Sequence, residues 1–201
     1  MRNLASTPQG REFLPRFIQE AGSNNVDVGP GLFAIAPLLE QQEHRKGLVS
    51  ALVWALPGID LSALMEVLRR CLSDADETTR ANAAHCVAFH LVGREPSAGK
   101  MTAALADSSP PVREAAFFLL KRECAKNESY DLSDALIRAL AAAANSELEE
   151  PIREFLSEAI ASRPQESARI RLAISGFPAL SALQNESGPV CEICASIPRS
   201  K

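Results

Sequence analysis

The sequence predicts an all-α protein made of antiparallel helix pairs stacked side by side, about four to five pairs in all. Arginine recurs along the middle of the chain in steps of 35, 33 and 40 residues, a spacing that suits units of two helices and two turns. Alanine and leucine are abundant, and aromatic residues make up only 5% of the chain. This composition favours closely packed helices over strands. The recurring arginines are Arg45, Arg80, Arg113 and Arg153.

An acidic residue stands six positions before three of these arginines, namely Asp74, Asp107 and Glu147. The fourth arginine, Arg45, instead has Glu40 five positions before it. The copy at Asp107 is the clearest. There Ser109-Pro110 suits an N-cap followed by proline in the first helical turn, where a missing N–H costs nothing. Apolar residues then follow at helical spacing, at Val112, Ala116, Leu119 and Leu120.

This turn–acid–arginine pattern resembles the second helix of a HEAT repeat, over roughly residues 31–163. The resemblance implies an armadillo-like α-solenoid, in which the corresponding arginines tie neighbouring repeats together by hydrogen bonds. We therefore expect one domain over residues 1–201: an N-terminal cap helix and loop (10–30), four helix-pair repeats (31–163), a C-terminal cap (164–186) and a tail (187–201). The alternative for the arginines is a basic ladder that binds an anionic ligand.

Turn and cap residues place the individual helices. We expect a frayed arm up to Gln9, a short helix over 10–22 that tolerates Pro15 only in its first turn, and a loop over 23–31. The expected helix caps are Asp60, Asp76 and Asp131. The helix pairs are expected at 32–42 with 45–56, 61–72 with 76–92, 97–106 with 110–126, and 132–144 with 151–162, followed by one or two short helices broken at Gly176 and Pro178.

Charge and cysteine content limit the function classes. The net charge of −4 disfavours a generally basic surface for nucleic acid. Five cysteines without a secreted-scaffold pattern favour reduced thiols, and neither a signal-peptide core nor a membrane-spanning apolar run is evident. The sequence therefore predicts a cytoplasmic protein without a membrane partner, and leaves its oligomeric state open.

Motifs for catalysis or metal binding are scarce. Cys191 and Cys194 form a C-x-x-C, which is half of a zinc site at most, because a tetrahedral ion needs two further ligands. His85 and Cys86 are adjacent on a helix and point about 100° apart, and His90 lies five positions from His85, a poor spacing for a shared ligand. We expect no catalytic residue, no metal and no cofactor, and no stoichiometric zinc in the purified protein.

Helical geometry predicts an exposed face. Counted from the arginine of each second helix, positions +3, +4, +7 and +11 form the core stripe, whereas +5 and +9 lie about 140° and 180° away. The stripe holds Leu48, Val49, Leu52 and Leu56 in one copy, and Ala83, Ala84, Val87 and Leu91 in the next. The opposite positions bring together residue types that anchor protein interfaces. These are Trp54, His85, Phe89, Phe118 and Arg122.

Because second helices line the concave surface of a HEAT-like stack, we expect these five residues either to bind a protein partner there or to be covered core. Three function classes remain. The first is a non-catalytic protein-binding scaffold, for example a bacterial immunity-type inhibitor of a cognate toxin. The second, implied by the resemblance, is a HEAT-like enzyme or enzyme subunit of the bilin lyase or DNA alkylation-repair type. The third is a purely structural module of a larger assembly.

Overall fold

All regular structure in the described residues is helical, which confirms the predicted all-α class. The structure, a computed structural model, describes residues 1–24, 29–56, 60–127, 129–144 and 148–185, and no strand occurs within these ranges. The chain divides into two compact units, one from Met1 to Asp131 and one from Leu132 onward. None of the described helices is long and apolar enough to cross a membrane.

Long and short helices alternate in the first unit. The four long helices follow each other in space, because α2 packs on α5, α5 on α7, and α7 on α9. Each of them also packs on the shorter helix before it, α1 on α2, α4 on α5, α6 on α7 and α8 on α9. The helices are α1 (Arg2–Ala5), α2 (Pro8–Ser23), α3 (Gly29–Leu32), α4 (Ala36–Leu39), α5 (Gln42–Ala55), α6 (Met65–Cys71), α7 (Glu77–Val92), α8 (Ala98–Leu105) and α9 (Pro110–Lys126).

The recurring arginines make the same contact in three copies. Each guanidinium donates to two backbone carbonyls of the turn before its own helix, five and six residues earlier in the chain. Arg45 reaches the carbonyls of Leu39 and Glu40, both at 2.7 Å. Arg80 donates to the carbonyls of residues 74 and 75, and Arg113 to those of residues 107 and 108, at 2.8 to 3.1 Å. The arginine therefore holds the turn against the helix that follows it.

An unpredicted copy of this contact occurs at the N-terminus. Arg11 on α2 donates from Nε to the carbonyl of Ala5, six residues earlier, at 2.9 Å. The step from Arg11 to Arg45 is 34 residues, in line with the later steps. By contrast, Arg153 pairs with the side chains of Glu149 and Glu150. The turn geometry is thus shared by four helices of the first unit.

The acidic side chains of the motif have a different role from the arginines. Asp74 accepts a hydrogen bond from the backbone N–H of Asp76 and pairs with Arg45 of the preceding long helix. These interactions, first the hydrogen bond from Arg45, hold the pKa of Asp74 below its ordinary value. Asp107 likewise accepts from the N–H of Ser109 and pairs with Arg69 at 2.9 Å. The aspartates therefore link each turn to a neighbouring helix.

Several predicted boundaries near the N-terminus are wrong. Instead of a frayed arm, the first residues form α1, and α2 begins at Pro8 behind a Thr7 N-cap. Pro15 lies inside α2 and not in its first turn, although a proline there removes a helical hydrogen bond and costs about 3 kcal/mol. The helix continues through it because Leu14 and Ile18 on either side are fully buried. Tertiary burial outweighs the local cost.

Of the three aspartates predicted as caps, two differ from the structure. Asp76 caps α7 as expected, because its carboxylate accepts from the N–H of Thr79 at 2.8 Å. Asp131 does not cap α10, whose N-cap is Ser133. Asp60 accepts from the N–H of Ser62 at the start of a 3₁₀ turn, Ser62–Leu64, and α6 begins only at Met65. The predicted helix over 32–42 is similarly divided into a 3₁₀ turn, Phe33–Ile35, and α4.

The predicted core stripe is buried except at one position. Leu91, expected in the core, is only partly buried, whereas Ala88 and Val92 on the same helix are buried. Because α7 packs on α5, α6, α8 and α9, its buried surface is wider than the predicted stripe and includes Ala88 and Val92. The stripe residues that are buried as predicted are Leu48, Val49, Leu52, Leu56, Ala83, Ala84 and Val87.

The second unit contains shorter helices around its own buried residues. Here α12 packs on both α10 and α11, and Arg169 of α12 bonds to Asp134 of α10 at 2.7 Å. The expected break at Gly176 and Pro178 is present between α12 and the final helix. The helices are α10 (Asp134–Ala143), α11 (Glu149–Ser162), α12 (Ser167–Ala173) and α13 (Ser181–Asn185), with a 3₁₀ turn at Pro178–Leu180.

Candidate binding face

The five predicted partner-binding residues lie on three neighbouring helices of the first unit. Trp54 is near the end of α5, His85 and Phe89 are on α7, and Phe118 and Arg122 are on α9. Because α7 packs against both α5 and α9, the three helices that carry these residues are neighbours, with α7 in the middle. We refer to these five residues together as the aromatic face.

Exposure differs between the edges and the middle of the aromatic face. Trp54 is 64% exposed and Phe118 is 53% exposed, which are large values for apolar side chains. His85 and Phe89 on the central helix are half-buried, and Arg122 is exposed. The two exposed aromatics therefore stand on either side of a partly buried middle. Phe117, which precedes the exposed Phe118 in sequence, is by contrast fully buried.

Helix α2 packs closely against the end of α5 that carries Trp54. Gly22, near the end of α2, lies so close to α5 that an added Cβ would come within 2.5 Å of the Cα of Ala55 and 2.9 Å of the carbonyl oxygen of Trp54. Only glycine allows two helix backbones to approach this closely. The backbone that carries Trp54 is therefore fixed by its contact with α2.

A pocket of about 320 Å³ opens beside the central helix. Two members of the aromatic face, Phe89 and Arg122, line it. Trp54 directly follows the pocket residue Val53 in sequence. The remaining lining residues come from the C-terminal parts of α5, α7 and α9 and from the turn after α7: Val53, Leu56, Val92, Gly93, Arg94, Pro96, Leu119, Glu123 and Lys126.

Charged groups surround the pocket. Glu123 accepts from Arg122 at 3.3 Å and from Lys126 at 3.1 Å, and Arg94 adds a third cation. His85 lies close enough to Arg122 to feel its charge. Burial, and secondly the Arg122 charge, lower the pKa of His85, which favours the neutral imidazole near pH 7.

Arg94, Glu123 and Lys126 were not identifiable from the helical register, because they stand at helix ends and in a turn. The chain reaches Arg94 through Gly93, which ends α7 with φ = 74°, a left-handed conformation that glycine adopts at no steric cost. The glycine directly after the last apolar turn, followed by a basic residue, is the sequence signal that points to this bend.

The described histidine, cysteine and acidic residues bear on the question of metal and thiol chemistry. No group of three or more His, Cys, Asp or Glu side chains is arranged to hold a metal ion among the described residues. Burial raises the pKa of Cys86 to about 12 and also raises that of Cys71, so both thiols stay protonated at neutral pH. Cys191 and Cys194 lie outside the described residues.

Comparison of this chain with protein-family models, curated proteins and solved structures gives no significant match.

Proposed function

We propose that the chain is a non-catalytic protein-binding scaffold of the HEAT-repeat type, and that the aromatic face contacts the partner. The alternation of short and long helices, the successive packing of α2, α5, α7 and α9, and the shared arginine contact all support stacked helix pairs. In such a solenoid the long helices would form the concave side, where HEAT-like scaffolds bind.

The observation that carries this proposal is the exposure of Trp54 and Phe118 on two helices that both pack against α7. Moving a large aromatic side chain out of water lowers the free energy. Tryptophan and arginine are also enriched among the residues that dominate interface affinity. Arg122 and Phe89 line the same pocket, on the helices α9 and α7. An exposed tryptophan, two phenylalanines and an arginine in one register are what an interface centre needs.

The test is a comparison of three immobilised full-length chains in a binding assay with lysate of the source cell. The wild type and Phe33→Ala are expected to retain the same partner, whereas Phe118→Ala is expected to lose it. Phe33 is a matched control, because it is 51% exposed, close to the 53% of Phe118, but lies in the 3₁₀ turn before α4.

Equal capture by Phe118→Ala and Phe33→Ala would contradict the proposed face. A third variant, Trp54→Ala, provides an independent reading from α5, since Trp54 and Phe118 belong to different helices. Thermal melting of each variant separates loss of contact from loss of folding.

A further inference from the structure

The pocket beside α7 combines an apolar base with a cationic rim. Leu56 and Leu119 are almost fully buried, and together with Val53 and Val92 they supply the apolar surface. Phe89 adds an aromatic wall. The rim carries three cations, Arg94, Arg122 and Lys126, all of them exposed to solvent.

The charge balance of the pocket is positive. Its one carboxylate is Glu123, whose side chain is 17% exposed and already lies between Arg122 and Lys126. The carbonyl ends of α5, α7 and α9 also point toward this region, and each adds about −0.5 of an elementary charge. Three cations exceed these opposing charges, although the chain as a whole has a net charge of −4.

Donors remain available on the rim. Arg122 donates from Nε to Glu123. Because a guanidinium has five N–H donors, both Nη groups can still donate to a second carboxylate. Arg94 has no carboxylate within 4 Å among the residues that the structure describes. A carboxylate of a partner at this rim would gain charge-assisted hydrogen bonds from Arg122 and Arg94 without breaking the pair to Glu123.

We infer that this pocket receives an acidic peptide segment of the partner protein, with an Asp or Glu carboxylate on the rim and a neighbouring apolar side chain on the base. The inference rests on the proposed function and specifies the chemistry of the partner. A volume of about 320 Å³ is at the lower end of the range for ligand pockets and suits one or two side chains. Nucleic acid fits less well, because three cations beside one carboxylate make only a small basic area on a chain with a net charge of −4.

In the experiment, peptides that bind the immobilised full-length chain are selected from a random library displayed on phage. Selected peptides are sorted by whether Trp54→Ala abolishes their binding. Among those that depend on Trp54, we expect Asp or Glu next to a large apolar residue to be strongly enriched. Each such peptide is then synthesised in its acidic form and with Gln or Asn in place of the acid.

We expect the neutral analogue to bind at least about tenfold more weakly than the acidic peptide. In the Arg122→Gln variant this difference should shrink to within about threefold, because the carboxylate has lost its principal donor. Arg138→Gln, a loss of one exposed cation on α10, should leave the tenfold difference intact.

The outcomes separate the two proposals. If no selected peptide depends on Trp54, the aromatic face itself is contradicted. If the Trp54-dependent peptides are neutral or basic, the face stands and the acidic segment is wrong. A single-stranded oligonucleotide serves as the competing probe, and its binding to the wild type more tightly than the best acidic peptide would also overturn the inference.

Discussion

Phe117 and Phe118 are neighbours in sequence and have opposite surroundings. The ring of Phe117 is fully buried, whereas Phe118 is 53% exposed, and the two ring centroids are 5.8 Å apart. Their difference follows from the 100° step of a helix, which turns one side chain inward and the next toward the aromatic face. The two phenylalanines therefore separate stability from binding at the same point of α9.

We predict that Phe117→Ala lowers the free energy of unfolding by about 3–5 kcal/mol through lost burial and a cavity. Phe118→Ala should lower it by only about 0.5–1.5 kcal/mol, since it mainly loses the ring contact with Phe117. Urea denaturation of both variants measures the difference. Losses of equal size would mean that Phe118 belongs to the core.

At the residue scale, the sequence could predict which arginines recur but not what they bind. The resemblance implies hydrogen bonds between neighbouring repeats, yet Arg80 and Arg113 donate to the backbone carbonyl of the acidic residue in the turn before their own helix. Because every residue has a carbonyl, the partner leaves no mark in the sequence. For this reason Arg45 makes the contact without an acidic residue six positions before it. For the same reason the contact of Arg11 with the carbonyl of Ala5 was not predicted.

At the scale of helices, the contact between α2 and α5 depends on Gly22. An added methyl group there would collide with the backbone of Ala55, which cannot move aside without moving α5. The position is helical, so alanine would otherwise favour the fold by about 1 kcal/mol. The sign of the change in stability on substitution therefore shows which is larger, the collision with α5 or the gain in helix propensity.

We predict that Gly22→Ala destabilises the chain, whereas Gly99→Ala in α8 is neutral or stabilising. A Cβ added at Gly99 meets no heavy atom of the described residues within 4 Å, which makes it the matched control. Thermal melts followed by circular dichroism would measure both. An increase in melting temperature for Gly22→Ala would show that α2 and α5 are not so closely packed.

The pair between Arg45 on α5 and Asp74 before α7 gives a second test at this scale. Hydrogen bonds from Arg45 and from the N–H of Asp76 lower the pKa of Asp74 in the folded protein. An aspartate in the unfolded chain has a pKa of about 3.9. The stabilisation is therefore complete above that pH and is lost as the pH falls through the lower, folded-state pKa.

We predict that the unfolding free energy of the wild type falls more steeply between neutral pH and about pH 3 than that of Asp74→Asn. The difference between the two curves isolates Asp74 from the other aspartates whose pKa values are lowered, such as Asp76 and Asp107. Urea unfolding at a series of pH values provides the curves. Parallel curves would mean that the pair with Arg45 adds nothing to stability.

Helix positions were predictable where caps and apolar spacing agree, as at Asp76 and along α9. They were not predictable where tertiary burial overrides local preference. Pro15 continues a helix because Leu14 and Ile18 are buried beside it, and the buried side of α7 holds Ala88 and Val92 but only part of Leu91. Both outcomes depend on which helices become neighbours, and a single sequence does not contain that information directly.

For the molecule as a whole, the register of the long helices carries the functional proposal. Positions +5 and +9 do hold the exposed Trp54 and Phe118, as the helical geometry predicts. The pocket with Arg94, Glu123 and Lys126 was outside that register, because it is built from helix ends and a glycine turn. A face can be inferred from periodicity alone, whereas a pocket also requires the paths of the connecting turns.

Trp54 is the chain's one tryptophan, so it provides a direct measurement of partner binding at the aromatic face. In full-length protein labelled with fluorotryptophan, fluorine NMR gives a single resonance from Trp54. Because Trp54 is 64% exposed, this resonance should be accessible to a soluble paramagnetic agent. We predict that the captured partner shifts this resonance and protects it from the agent. A complex that forms by size-exclusion chromatography while the resonance keeps its shift and accessibility would contradict the proposed binding face.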